Sequence, residues 1–256
     1  MSLTSSETLS RPGTRLAGNT ATGTLKMIAL VLMLTDHAGK MLFPNIPEMR
    51  LIGRLAFPIY VWCLIVGFEY TRNAVRYMLR LLLVGLISQP LYMVALNHTW
   101  KQPNIFLTLL IGLAGLWGIR EKRWLSHLWA PAAAVILAGV LGADYGWKGV
   151  LFIFLLYAVR GSRAGIAAVM ISYFLFWGYY YSQVTAIFGI PLSYGSLPEP
   201  FRGILSALFR TETFGLLALP LILIPFGSIR KMPLWLSYII YPAHLALLWL
   251  LETLFR

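Results

Sequence analysis

The sequence predicts an all-α protein, a polytopic bundle of membrane-spanning helices. Composition is the first reason: of 256 residues, 59% are hydrophobic and only 12% charged. That charged share is about half of what a soluble domain carries, and the mean hydropathy is +0.73. Second, apolar runs recur along the whole chain rather than once. Third, the 21 basic residues outnumber nine acidic ones and gather in short connections between those runs, the positive-inside pattern. The net charge of +12 therefore speaks for membrane lipid as partner and not for nucleic acid.

Residues 1–24 are polar and rich in Thr, Ser and Gly, and are expected to form a disordered cytoplasmic tail without a cleavable signal. Residues 25–256 make one transmembrane domain, the length leaving no room for another. A spanning helix needs roughly 20 apolar residues, a yardstick that gives about nine spans, within a range of eight to ten. They fall near 26–43, 51–71, 75–97, 104–119, 125–143, 147–160, 164–183, 212–229 and 234–254. The Gly/Pro-rich stretch 184–200 reads as a loop. The amphipathic stretch 201–214, broken by Arg202 and Arg210, is expected in the interface or re-entering the membrane.

Loop charges set the orientation. Arg11 and Arg15, then Arg72, Arg76 and Arg80, then Arg120, Lys122 and Arg123, then Arg160 and Arg163, then Arg230 and Lys231 mark one side. Lys40, Arg50 and Lys101 mark the other more thinly. The bias places the N-terminus in the cytoplasm. The sole cysteine, Cys63, sits in an apolar run, where packing is its expected role and no intramolecular disulfide can form.

The informative residues are polar groups where lipid-soluble ones are expected. "LKMIALVLMLTDHAGK" (25–40) carries Asp36 and His37 in its last turns. Ionisable groups inside a span are costly, so they usually face an interior cavity and act there. His37 is a candidate general base, since imidazole titrates near neutrality. Asp36 lies about 100° around the helix from it, so the two need not bond; an arginine on another helix is its expected partner. Lys26 precedes His37 by 11 residues, about three turns and roughly 16 Å, on nearly the same face. Lys26 thus falls near the cytoplasmic headgroups, with His37 close to mid-membrane. A long ligand with phosphates at one end and a reactive group at the other matches that spacing, and acyl-coenzyme A has this shape. Snorkelling is the plain alternative for Lys26.

Arg54, one turn inside the second run, either neutralises Asp36 or holds an anionic group. Pro58 is expected to kink that helix, and Gly53 and Gly67 to admit close approach of a neighbour. Glu69 is expected to pair with Arg72 or Arg76. Asn104 is placed to cap a helix. Asp144, Tyr145 and Gly146 form a turn. His244, mid-helix after Pro242, is a second intramembrane imidazole and a candidate for the site. The aromatic run 173–181 reads as lipid-facing packing and an interface belt. His98 and His127 fall in loops. No metal-ligand set stands out.

Together, "LKMIALVLMLTDHAGKM", "IGRLAFPIYVW", "GFEYTRN", "RLLLVGLISQP", "PNIFLTL", "DYGWKGVL" and "YPAHLALL" resemble the TraX family of inner-membrane acetyltransferases, the conjugative pilin acetylases. The resemblance implies acetyl-coenzyme A as co-substrate and the N-terminal amine of pilin as acceptor. It places the family's aspartate–histidine pair at Asp36 and His37, its arginine at Arg54 and its terminal-helix histidine at His244. A wider group of transmembrane acyltransferases, similar in spacing a basic residue ten positions before an essential histidine, implies a cofactor role for Lys26, where one branch usually carries arginine. A lysine binds phosphate as a point charge and lacks the bidentate fork.

The expected chemistry is therefore acetyl transfer with His37 as base and Asp36 in electrostatic support, and with Lys26 and Arg54 toward the cofactor. His244, Asn104, Tyr145 and Glu69 stand as substrate-side or supporting candidates. Direct transfer in a ternary complex is expected over an acyl-cysteine, because Cys63 has no activating partner in the sequence; acyl-histidine is the alternative. Competing readings are a surface-glycan O-acetyltransferase, a proton-coupled secondary transporter and a non-catalytic pilus-assembly scaffold. Oligomeric state is not written in the sequence.

Overall fold

The computed structural model describes residues 16–227 and 234–255. Residues 1–15 of the expected tail (1–24), including Arg11 and Arg15, and the basic pair Arg230 and Lys231 lie outside the described residues. Within them the chain is mostly helical. The first helix, α1 (Thr22–Met41), starts earlier than the composition of 1–24 suggests. Its lead-in is pinned, with Ala17 N–H donating to the Arg160 carbonyl at 2.9 Å and Asn19 N–H to that of Ile222 at 2.7 Å. Trp62 Nε1 donates in turn to the Asn19 carbonyl at 2.7 Å. Polar composition there marks a buried anchor with bonded backbone.

The second apolar run is two helices, α2 (Pro47–Gly53) and α3 (Ala56–Tyr70). The break falls at Arg54 and Leu55 because Pro58 has no N–H for the Arg54 carbonyl. Then come α4 (Ala74–Leu96), α5 (Ile105–Glu121), α6 (Ser126–Val140), α7 (Gly146–Ala158) and α8 (Arg163–Gly178). Side-chain caps start three of them: Asn73 Oδ1 accepts from Arg76 N–H, Asn104 Oδ1 from Phe106 N–H, and Ser162 Oγ from Gly165 N–H. Each satisfies a backbone donor that the first turn leaves open. His127 is the second residue of α6, not a loop residue.

The stretch 184–200 holds a two-stranded antiparallel hairpin, β1 (Ala186–Ile187) with β2 (Ile190–Pro191). It is followed by the short amphipathic α9 (Phe201–Leu208). A 3₁₀ turn (Thr211–Ala218) runs into α10 (Leu219–Leu223), and α11 (Leu234–Phe255) closes the chain.

Among the described residues, Pro47–Tyr70, Ala74–Leu96 and Tyr238–Phe255 are long and apolar enough to cross a membrane. Gly146–Ala158, Arg163–Gly178 and Thr211–Leu223 are shorter apolar helical stretches. Exposed Leu79, Leu83, Leu86 and Ile87 on α4 form the apolar face expected of a lipid-facing helix, whereas α3 is buried nearly all round and is the core of the bundle.

Loop contacts sort the helix ends into two groups. At the end where α1 begins, Arg160 Nε pairs with Glu69 at 2.7 Å, Arg120 donates to the Phe68 carbonyl at 3.2 Å, and Arg163 to that of Leu223 at 3.0 Å. Glu69 is therefore the partner of Arg160, from the loop between α7 and α8, and not of Arg72 or Arg76. At the end where α1 finishes, Lys40 reaches the Leu96 carbonyl and His98, and Glu48 accepts from Phe188 N–H in the hairpin. The aromatic run divides between core and surface: Tyr173 and Phe174 are buried against Phe152 and Trp177 against Tyr173, while Phe176 and Tyr179–Tyr181 are exposed.

Candidate functional site

Asp36 and His37 face different neighbours, as a 100° step around a helix requires. Asp36, buried, faces the α2–α3 break. Its Oδ1 accepts from Arg54 Nη2 at 2.5 Å and its Oδ2 from Arg50 Nη1 at 2.7 Å. Arg54 Nη1 also donates to Glu212 Oε1 at 3.0 Å, and Glu212 is only 4% exposed. Two guanidinium groups and two carboxylates thus close into one cluster joining α1, α2 and the 3₁₀ turn. Gly53 makes it possible: a Cβ there would overlap Asp36 itself. Of its two expected roles, Arg54 here neutralises Asp36.

His37 turns the other way, toward α11. Its Nδ1 lies 2.7 Å from His244 Nε2, and the ring planes differ by 8° with centroids 5.0 Å apart. That centroid distance is the N···N separation plus one ring radius at each end, so the rings meet edge to edge in a common plane. His244, 7% exposed, places its Nδ1 3.1 Å from the Ile240 carbonyl one turn earlier. Tyr241 sits edge-on to His244 at 5.2 Å, and Phe106 edge-on to Tyr241 at 4.9 Å. The pair joins the first and last helices, 207 residues apart.

A cavity of about 100 Å³ leads from Lys26 toward this pair, lined also by Met33, Tyr60, Cys63, Tyr77 and Tyr241. It is mainly apolar, with the Lys26 ammonium at the end where α1 begins and Tyr241 next to the imidazoles. That volume takes a few waters or a short acyl group; a longer ligand requires flexible Met33 and Lys26 to swing aside. Cys63 is buried against it rather than lost in solid core.

On the far side of the imidazoles the α1 terminus forms a polar rim. Lys40 Nζ donates to His98 Nε2 at 3.1 Å, and His98 stacks on Tyr92 at 4.8 Å. Burial, and then the Lys40 ammonium, hold the His98 imidazole below its ordinary range. Tyr92 lies beside Asp144. Tyr145 stacks on Phe57 at 3.8 Å, edge-on to Trp177.

The fold therefore brings Asp36, His37, Arg54 and His244 together, with Lys26 at the far end of the adjoining cavity. Asn104 and Glu69 stand apart. Asn104 caps α5, donates to the Gly85 carbonyl at 2.8 Å and is held by Gln89. Glu69 ties loops at the opposite end from the imidazoles. Sequence reasoning missed Arg50 and Glu212. Arg50 has a readable signal, lying one turn before Arg54 and so on its face. Glu212 shows only as an acid at the start of an apolar run. The neighbour that contacts it, Arg54, is 158 residues away.

A helical membrane protein, with an imidazole pair and a four-membered ion cluster inside its bundle, is what this fold and site define. Residues 21–252 match the TraX protein family, and the chain belongs to it. It is 30% identical over 142 residues to the probable fimbrial assembly protein FimC, serogroup H1, of Dichelobacter nodosus, covering 50% of this chain and 58% of that one. To Protein TraX of Escherichia coli (strain K12) it is 30% identical over 136 residues, 50% and 52% of the two chains. To the uncharacterized protein RP591 of Rickettsia prowazekii (strain Madrid E) it is 29% identical over 98 residues, 38% and 37%. The chain spans about half the length, or less, of these curated relatives. No solved structure matches it.

Proposed function

We propose that this chain is an acetyl-coenzyme A-dependent acetyltransferase of the bacterial inner membrane, acting on the N-terminal amine of pilin. The observation that carries the reading is the cavity that has Lys26 on its wall and ends at Tyr241, whose ring packs edge-on against His244 of the His37–His244 pair. A donor with phosphates at one end and a thioester at the other needs such a path: a positive mouth, a narrow apolar passage and a base at its end. The relatives named for fimbrial assembly and for TraX point to pilin rather than a glycan as acceptor.

In this reading the chain crosses the membrane about nine times, as α1, α2–α3, α4, α5, α6, α7, α8, the 3₁₀–α10 stretch and α11, with its N-terminus in the cytoplasm. Lys26 then opens to cytosolic acetyl-coenzyme A and binds its phosphates as a point charge. The acceptor amine enters from the rim at Lys40. His37 takes the amine proton as nitrogen attacks the thioester carbonyl, the C–S bond breaks, and the departing thiolate takes that proton back. Asp36, held by Arg50 and Arg54, keeps α1 in register so that His37 meets the cavity. Arg54, committed to two carboxylates, supports the site through Asp36, and the phosphates fall to Lys26 and neighbouring loop cations.

The test is transfer of labelled acetyl from acetyl-coenzyme A to pilin in membranes holding wild-type or His37→Ala protein. The variant should insert normally and lose transfer by a factor of about 10²–10⁴. Undiminished transfer by an inserted His37→Ala protein would overturn the assignment.

A further inference from the structure

We propose that His244 is a positioning residue which fixes the proton of His37 on Nδ1, so that His37 Nε2 is the atom that takes the acceptor's proton. The chemistry rests on the acetyl-transfer reading above, whereas the proton placement rests on geometry.

The argument starts from a backbone carbonyl, which can only accept. His244 Nδ1 lies 3.1 Å from the Ile240 oxygen, so neutral His244 carries its proton on Nδ1 and presents a lone pair at Nε2. That lone pair points at His37 Nδ1, 2.7 Å away. Two lone pairs cannot face each other at this distance, so His37 donates from Nδ1. The common plane of the rings, 8° apart, is what an N–H···N bond lying in both rings requires. The only position left for the His37 lone pair is Nε2. Among the described residues no group hydrogen-bonds to that atom, and His37 as a residue is half-buried.

The carbonyl of one helix thereby sets which nitrogen of another helix is basic. An imidazole without such a partner prefers its proton on Nε2, which would block the reacting atom. In this protein a neutral imidazole does the orienting that a carboxylate does in the serine-hydrolase triad. Asp36 cannot fill that role, being committed to Arg50 and Arg54 on the other side of the helix. During transfer the amine proton moves to Nε2, the N–C bond forms and the C–S bond breaks. Nε2 then returns the proton to the thiolate. The Nδ1 proton stays in place, and its bond to His244 holds the ring and stabilises the transient imidazolium.

Nitrogen-15 solid-state NMR on the histidine-labelled full chain in lipid bilayers, at mildly alkaline pH, reads the tautomers directly. The chain has four histidines, and His37→Ala and His244→Ala assign the two signals. His37 and His244 should both be neutral with the proton on Nδ1. In His244→Ala the His37 proton should shift to Nε2. In His244→Gln, whose amide oxygen can accept, it should stay on Nδ1. Pilin acetylation should follow: kcat falls about 100-fold or more in His244→Ala, the donor KM is little changed, and His244→Gln recovers most of the loss. Wild-type His37 protonated on Nε2 would overturn the inference, as would Ala and Gln variants equally slow while their His37 tautomers differ. A wild-type protein with both Nδ1 protons that transfers no acetyl would uphold the tautomer assignment and sink the enzymatic reading.

Discussion

Asp36 accepts from Arg54 at 2.5 Å across a gap that exists because residue 53 has no side chain. One backbone position thus decides whether the first helix and the α2–α3 break can share an ion pair. The same guanidinium reaches Glu212 at 3.0 Å, so three separate segments converge on Arg54. In a low-dielectric interior such a cluster is tolerated only while every charge has its counterpart.

Arg54→Ala is therefore expected to destabilise strongly, by about 3–5 kcal/mol, because it strips the partner from buried Glu212 and one of two from Asp36. Thermal unfolding in detergent or bilayers measures it. Adding Glu212→Gln to Arg54→Ala should recover part of the loss, since the orphaned charge is then removed as well. Arg54→Lys should fall between, as an ammonium cannot fork toward both carboxylates. A double variant no more stable than Arg54→Ala would show that the pair is not coupled.

Gly53→Ala adds one methyl where Asp36 already sits. Overpacking of this kind costs about 1–3 kcal/mol, and the helices must separate for the methyl to fit. Unfolding midpoints should fall for Ala and further for Val. A Gly67→Ala control should be milder, because a Cβ there meets only the movable Tyr77 ring at 3.2 Å. Equal effects at the two glycines would argue against a special approach at 53.

Much of this arrangement is legible without coordinates, because lipid demands apolar helices and makes each interior charge conspicuous. The expected runs match the observed helices to within a few residues in most cases, and Asp36, His37, Arg54 and His244 stand out as polar groups in apolar surroundings. Pairings are less legible than positions. Glu69 meets Arg160 rather than Arg72 because helix ends bring together loops distant in sequence. The polar lead-in to α1 reads as tail by composition, since its buried Asn19 and Thr24 look the same as solvated ones in sequence. Glu212 escapes notice because an acid at the edge of an apolar run ordinarily stays in water.

Lys26 gives the donor prediction. It is half-buried, one turn into α1, at the mouth of the cavity. Lys26→Ala should raise the KM for acetyl-coenzyme A with little change in kcat, the pattern of lost uniform binding. A short acetyl thioester without a nucleotide should be used equally well by wild type and variant. Equal penalties with both donors would mean that Lys26 shapes the cavity rather than holding phosphate.

Cys63 offers a readout of the same cavity that needs no catalysis. It is the sole cysteine of the chain, so a maleimide reports on one site. Its side chain is 2% exposed to the outside yet lines the passage between Lys26 and Tyr241. Labelling in intact membranes should thus be slow but measurable, limited by the same side-chain movements that admit a ligand. Coenzyme A should slow it further, because its pantetheine arm fills the passage, and Lys26→Ala should weaken that protection by loosening the nucleotide end. Adenosine 3′,5′-bisphosphate, which carries phosphates but no arm, should protect less than coenzyme A. Full-rate labelling in saturating coenzyme A would place the donor elsewhere, and the cavity between Lys26 and Tyr241 would lose its purpose.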